Sequence, residues 1–182
     1  MFTMFFDTET TGKNPKEAHL VQLALVIDDE QRNTVVKLST LIQCPVEIPE
    51  EAARIHGKSK AICDELGLKP ETAVHLFWHY ASRCKTVAHN AQYDRQIMET
   101  AAARFAPTIL SRLLEESFCT LQASTPICKL PGRPGSYKWP TLNEAYRLIV
   151  NPDGFEGAHD ALADTLACRE VYYALLNRKE NT

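Results

Sequence analysis

Phe5-Phe6-Asp7-Thr8-Glu9-Thr10-Thr11-Gly12 closes the first apolar run of the chain and decides how the rest is read. Met1 to Phe6 is apolar apart from Thr3, too short and too aromatic for a helix, and reads as a buried strand over residues 2–7. Residues i and i+2 of a strand point to the same face, so Asp7 and Glu9 leave its C-terminal end side by side. Two like charges held together call for a proton or a cation, and a divalent ion with oxygen ligands answers that need economically. The plainer alternative is a strand running into a polar turn at Gly12. The choice depends on whether later segments bring further ligands.

The chain has 182 residues, which suits one domain over 1–182 with a single sizeable core. Hydrophobic residues make up 45% and charged residues 24%, an ordinary globular composition. A net charge of −3 supplies no global basic field for wrapping a duplex. It leaves room for an enzyme that grips a short strand end, where cations neutralise the phosphates. Six cysteines occur without a C-x-x-C pair, which speaks against a zinc knuckle or a thioredoxin-like motif. They are expected to be reduced and structural. No signal-peptide pattern and no apolar run of ~20 residues is present. The expectation is a cytoplasmic protein with no membrane partner; oligomeric state leaves no mark in the sequence.

Leu20–Asp28 and Thr34–Gln43 read as strands joined by a polar turn, giving an antiparallel three-strand meander with the first. A short helix is expected over Pro49–Ile55, ended by His56-Gly57 with Gly57 as the residue past the cap. A longer one is expected over Lys69–Arg83, with Pro70 near its start. Thr86–Ala88 reads as a strand and Asn90 as the side-chain cap of a helix over Ala91–Phe105. Pro107 breaks that helix, and residues 108–116 suggest another turn or two. Phe118–Leu121 reads as a short strand or edge, and the proline-rich Ser124–Pro140 as an irregular loop. Thr141 and Glu144 form a capping-box pattern before a helix over 142–150, and a last helix runs from about Asp160 to Asn177. Strands that alternate with helices after a meander point to an α/β fold, a mixed sheet with parallel strands added and helices on its faces.

Two later segments add carboxylates. His89-Asn90-Ala91-Gln92-Tyr93-Asp94 puts Asp94 one turn into a helix that directly follows a strand, at the positive end of the helix dipole. In Gly157-Ala158-His159-Asp160-Ala161-Leu162-Ala163-Asp164, His159 and Asp164 lie five apart, about 140° around an ideal helix. They meet only if His159 sits in the connector and Asp164 in the helix. Asp160 is a competing ligand at i, i+4 from Asp164, and capping is its more economical role. Together these groups form an oxygen-rich cluster that suits Mg2+ or Mn2+ better than zinc. Such a cluster matches two-metal phosphoryl chemistry, with the imidazole of His159 as general base.

Asp7-x-Glu9, His-Asn-Ala-x-x-Asp94 and His159-x4-Asp164 resemble the motifs of the DEDDh (DnaQ-like) 3′→5′ exonucleases, over nearly the whole chain and in order. The resemblance implies an RNase H-like mixed β-sheet. It implies two divalent ions held by Asp7, Glu9, Asp94 and Asp164, with His159 as base and a 5′-mononucleotide as product. Ile55-His56-Gly57 resembles the family's turn beside the terminal nucleotide, Asn90 belongs to the second motif, and Thr8 stands where relatives approach the 3′-hydroxyl. The implied partner is a DNA or RNA 3′ end, with single-stranded or frayed DNA favoured, and the family also allows a polymerase or repair complex. The chain ends 18 residues after Asp164, without a long tethering extension, which favours a stand-alone nuclease for repair or for recycling oligonucleotides.

Lys129-Leu-Pro-Gly-Arg-Pro-Gly-Ser-Tyr137-Lys138-Trp139 mixes cations with aromatics, and no acidic residue stands between Ser117 and Asn143. Tyr137, Lys138 and Trp139 suit a single strand by charge and base stacking. The alternative is a loop whose aromatics pack on the core. An exoribonuclease, or a non-catalytic nucleic-acid-binding module of the same fold, are the competing functions. An aspartic protease is a poor match, since Glu9 stands where that motif has glycine.

Overall fold

The computed structural model describes residues 1–109 and 117–180. Five strands form one sheet in the order β3-β2-β1-β4-β5, where β1 is Thr3–Thr10, β2 Leu20–Asp28, β3 Thr34–Leu41, β4 Lys85–Ala88 and β5 Phe118–Cys119. β1, β2 and β3 pair antiparallel, as the meander requires, while β4 and β5 add parallel strands. The helices are α1 (Glu50–His56), α2 (Lys60–Leu66), α3 (Pro70–Ala81), α4 (Ala91–Phe105), α5 (Thr120–Cys128), α6 (Leu142–Ile149) and α7 (Ala161–Glu180).

Strand alternation splits the core into two layers. On one face Phe5, Val26 and Val87 pack beneath Cys168 and Tyr172 of α7, with Phe5 edge-on to Tyr172 at 5.4 Å. On the other, Met4, Phe6, Leu23 and Leu25 pack under α3 and α4, with Phe6 against Phe77 at 5.0 Å. β2 is buried along its whole length because both faces are covered. At its far end the buried Asp28 accepts from Arg169, Tyr173 and Thr34, which fastens α7 across the sheet.

Several expectations change. β1 does not stop at Asp7. Its ladder with β2 continues through Glu9↔Gln22 to Thr10↔Leu20, so both carboxylates stand inside a strand. Asn90 is no side-chain cap: its φ of 70° and ψ of 47° are left-handed, and its side chain makes no cap bond. A capping side chain needs extended backbone, whereas asparagine is among the few residues that tolerate the left-handed turn needed here. The sequence reading puts no element between Gly57 and Lys69, but α2 lies there, capped by Ser59. Phe118-Cys119 alone is strand, and α5 runs through Pro126 into the stretch expected to be irregular. The turn expected over 108–116 falls mostly outside the described residues. Gly57 is left-handed past α1, and the Thr141–Glu144 capping box is complete. All six cysteines are free thiols, and among the described residues no helix is long and apolar enough to cross a membrane.

Candidate active site

The site forms where β1 outruns its parallel neighbour. β4 pairs with β1 only from Thr3↔Lys85 to Phe5↔Val87 and ends at Ala88. Past that point the chain turns through Asn90 into α4, which leaves a notch beside Asp7 and Glu9. The first turn of α4 brings Asp94 to that notch, 3% exposed. Thr8 donates its hydroxyl to Asp94 Oδ1 at 2.8 Å, which locks strand to helix. On the opposite side the start of α7 presents Asp164. Glu9, His159 and Asp164 each place a ligand atom within 4.8 Å of the others.

The start of α7 is held from three directions. Asp160 Oδ1 accepts from the backbone N–H groups of Leu162 and Ala163, so this residue is the helix cap. Its Oδ2 accepts from Gln22 at 3.0 Å and from Lys58 at 3.1 Å. Both oxygens are therefore engaged, which decides between the two roles open for Asp160 in the sequence in favour of capping. Gln22, buried on β2, also accepts from the N–H of Ala161. Just upstream, Gly157 and His159 have φ of 77° and 69°. That left-handed pair swings the imidazole of His159 to the exposed side, while its backbone N–H donates to Asp164 Oδ2. Histidine and carboxylate thus meet without sharing a helix face.

Burial and mutual repulsion act on the acids of this cluster together. Burial raises Asp7 well above the usual carboxylate range, and the charges of Asp94, Asp164 and Glu9 raise it further. Glu9 is pushed to about 8, by burial and by Asp164, against the opposing charge of Lys58. Asp94 rises to about 7 through burial, although the Thr8 hydroxyl holds it down. Asp164 rises to about 6, again mainly by burial, with the backbone N–H and charge of His159 opposing. Four acids that resist ionisation together are an oxygen donor set in need of positive charge. They fit a hard divalent cation, and the exposed imidazole leaves a nitrogen donor at the edge.

Beside the cluster lies an open cavity of about 510 Å³, lined by Glu9, Lys13, Ile55, His56, Tyr93 and His159 among others. His56 is buried, and its Nδ1 accepts from the N–H of Lys58. The ring proton therefore sits on Nε2, which is buried without a partner. Desolvation, then the charges of Lys58 and His159, lower its pKa below the ordinary imidazole value. Tyr93 was not singled out in the sequence: its hydroxyl donates to Gly12 O at 2.8 Å and also meets Thr10, tying the end of β1 to α4. The available signal was an aromatic one residue before Asp94.

The other expected residues fall in different places. The Thr8 side chain is turned to Asp94 and is buried, so it positions a carboxylate. Trp139 is 61% and Tyr137 49% exposed, which removes the core-packing alternative for both. Lys138 pairs with Glu144 at 2.7 Å. Their loop is moored by Pro140, whose carbonyl accepts from His89 Nε2 at the end of β4. His89 is half-buried and neutral, pushed down to about 4 by desolvation. Its Nδ1 meets the Thr120 hydroxyl, so it is a satisfied structural residue.

A mixed sheet in this order, with its acidic cluster on the central strand, is an RNase H-like nuclease fold. Residues 4–172 match the RNase T exonuclease model, and the chain belongs to that exonuclease family, in its DEDDh (DnaQ-like) branch. An exonuclease of Escherichia phage 186 is 31% identical over 172 residues, covering 88% of this chain and 81% of its own. DNA polymerase III subunit epsilon of Treponema pallidum is 27% identical over 173 residues, 94% and 74% of the two chains. E. coli Exonuclease I in complex with a dT13 oligonucleotide superposes with a TM-score of 0.74 at 16% identity. That match covers 97% of this chain but 41% of Exonuclease I, so the chain spans about two fifths of that structural neighbour.

Proposed function

We propose that this exonuclease removes nucleotides from the 3′ end of single-stranded or frayed DNA, using two Mg2+ or Mn2+ ions and releasing 5′-mononucleotides. The observation that carries the reading is the group of Glu9, His159 and Asp164 within ligand distance of one another, with the buried Asp7 and Asp94 close enough to act on the same charges. The four carboxylates would hold the ions. When bound, such ions supply Lewis acidity at the attacking and leaving oxygens. His159, exposed beside Glu9 and Asp164, would take the proton of an attacking water, and its backbone N–H is bonded to Asp164 Oδ2. The cavity beside the cluster is of a size for a terminal nucleotide, and His56 forms part of its wall. Tyr137 and Trp139, exposed on a loop moored at the same sheet end, would stack upstream bases. Support for DNA comes from the epsilon relatives and from the oligothymidylate held by Exonuclease I. The same relatives make a polymerase the protein partner to test.

The test is a panel of 5′-labelled single-stranded DNA, 3′-overhang duplex, RNA and dinucleotides, run with Mg2+, Mn2+ and EDTA. Stepwise shortening from the 3′ end, faster on DNA and absent in EDTA, is expected. Immediate release of the labelled 5′ nucleotide would overturn the polarity, and faster hydrolysis of RNA would shift the substrate. His159→Ala should lower kcat by roughly 10²–10⁴-fold while metal still raises the melting temperature. Equal loss of both would make His159 structural.

A further inference from the structure

Lys58 has a place in this site that neither the motifs nor the relatives assign. It follows the His56-Gly57 turn and has a side chain only 20% exposed. Its three polar contacts join two separate parts of the site. Its backbone N–H donates to His56 Nδ1 at 3.0 Å. Its ammonium donates to the His56 carbonyl at 3.0 Å and to Asp160 Oδ2 at 3.1 Å. His56 forms part of the cavity wall, and Asp160 is the cap of α7, between His159 and Asp164. Among the described residues, the only other side chain on Asp160 Oδ2 is Gln22, from β2. Glu9 and Cys63 also face Lys58, His159 faces His56, and Asp7 and Asp164 face Asp160.

We propose that Lys58 is a positioning residue that couples the nucleotide cavity to the catalytic histidine. It fixes the tautomer of His56, a residue of the cavity wall. Through Asp160 it also sets the start of α7, from which the left-handed His159 turn departs. A nucleotide seated against His56 would then meet an imidazole already in place. The inference rests on the reading of His159 as general base. Lysine suits the task because a compact ammonium on a long stem can donate to two oxygens at once. The pair is partly exposed, so its worth to global stability is small. Its effect belongs in the turnover rate, where a displacement of about 1 Å costs on the order of 100-fold.

Steady-state kcat and KM on a 5′-labelled single-stranded DNA with Mg2+ would be compared for the wild type and for Lys58→Met, Lys58→Arg, Asp160→Asn, Lys58→Met with Asp160→Asn, and His159→Ala. Asp160→Asn keeps a capping side chain. Lys58→Met should lower kcat by about 10–100-fold with less than a threefold change in KM and a nearly unchanged melting temperature. Lys58→Arg should recover part of the loss. Asp160→Asn should reproduce the loss, and the double variant should be no worse than the worse single one. Unchanged kcat in Lys58→Met, a rise in KM alone, or additive losses in the double variant would each overturn the coupling. If Lys58→Met melts early, Asp160→Asn and Lys58→Arg carry the same comparison. An inactive wild type or a fully active His159→Ala would instead bring down the underlying reading of the site.

Discussion

Asp7→Asn should make the metal-free protein more stable at pH 8 while abolishing hydrolysis. Asp7 is raised by burial and by four neighbouring carboxylates, with no favourable contribution among the causes. Its folded-state pKa lies above the unfolded value, so the folded protein binds the extra proton. Stability is therefore fully present below about pH 4 and is lost as pH rises through the folded-state values. For the cluster that window runs from the model-compound range up to about 6 for Asp164, 7 for Asp94 and 8 for Glu9. The shift of Glu9 alone corresponds to about 5 kcal/mol at about 1.4 kcal/mol per unit. Solvent reaches this half-buried group and the acids share one repulsion, so about 2 kcal/mol is a fair return for removing one charge. In a chain of this length that is a rise of roughly 4–8 °C in melting temperature. The assay is thermal unfolding followed by circular dichroism in EDTA, from pH 4.5 to 8.5. The gain should appear at pH 8 and fade towards pH 4.5. Mg2+ at 100 times its Kd should stabilise the wild type by about 2.7 kcal/mol and the variant by much less. A variant that melts lower than the wild type at pH 8 in EDTA, or gains equally at both pH values, would refute the electrostatic account.

Thr8→Val removes the hydroxyl that steadies Asp94 and should weaken metal binding by about 10–100-fold, read by calorimetric titration with Mn2+. Unchanged affinity would show that Asp94 needs no such support. Asp28→Ala leaves Arg169 without its buried partner at the far end of α7 and should cost about 3–5 kcal/mol, read by urea unfolding. Its kcat below the melting transition should change little, because the cluster lies at the other end of β2.

The ligand types were legible in the sequence because metal chemistry restricts which residues can serve. Asp7-x-Glu9, Asp94 and His159-x4-Asp164 stand in short motifs whose spacing is local, and the order of strands and helices follows from local periodicity. The caps at Gly57, Thr141 and Asp160 were readable for the same reason: each bonds within four residues of itself. What stayed hidden depends on contacts distant in sequence. The continuation of β1 past Asp7 is enforced by β2, and the seven-residue α2 is too short to show a period. The left-handed Asn90 reflects the turn that delivers Asp94 to β1, which no local propensity specifies.

The sequence by itself therefore determined the candidate donor set, the sheet with its meander, and the family. Only the tertiary structure decided which acids do which work. Asp160 is a cap because Gln22, 138 positions away, and Lys58, 102 away, occupy its outer oxygen. Thr8 serves Asp94 from 86 positions away, and His56 holds its proton on Nε2 because Lys58 occupies Nδ1. The physical reason is the same in each case. A side chain's chemical type is carried by its residue, but its protonation and partners are set by burial and by charges that only folding brings near.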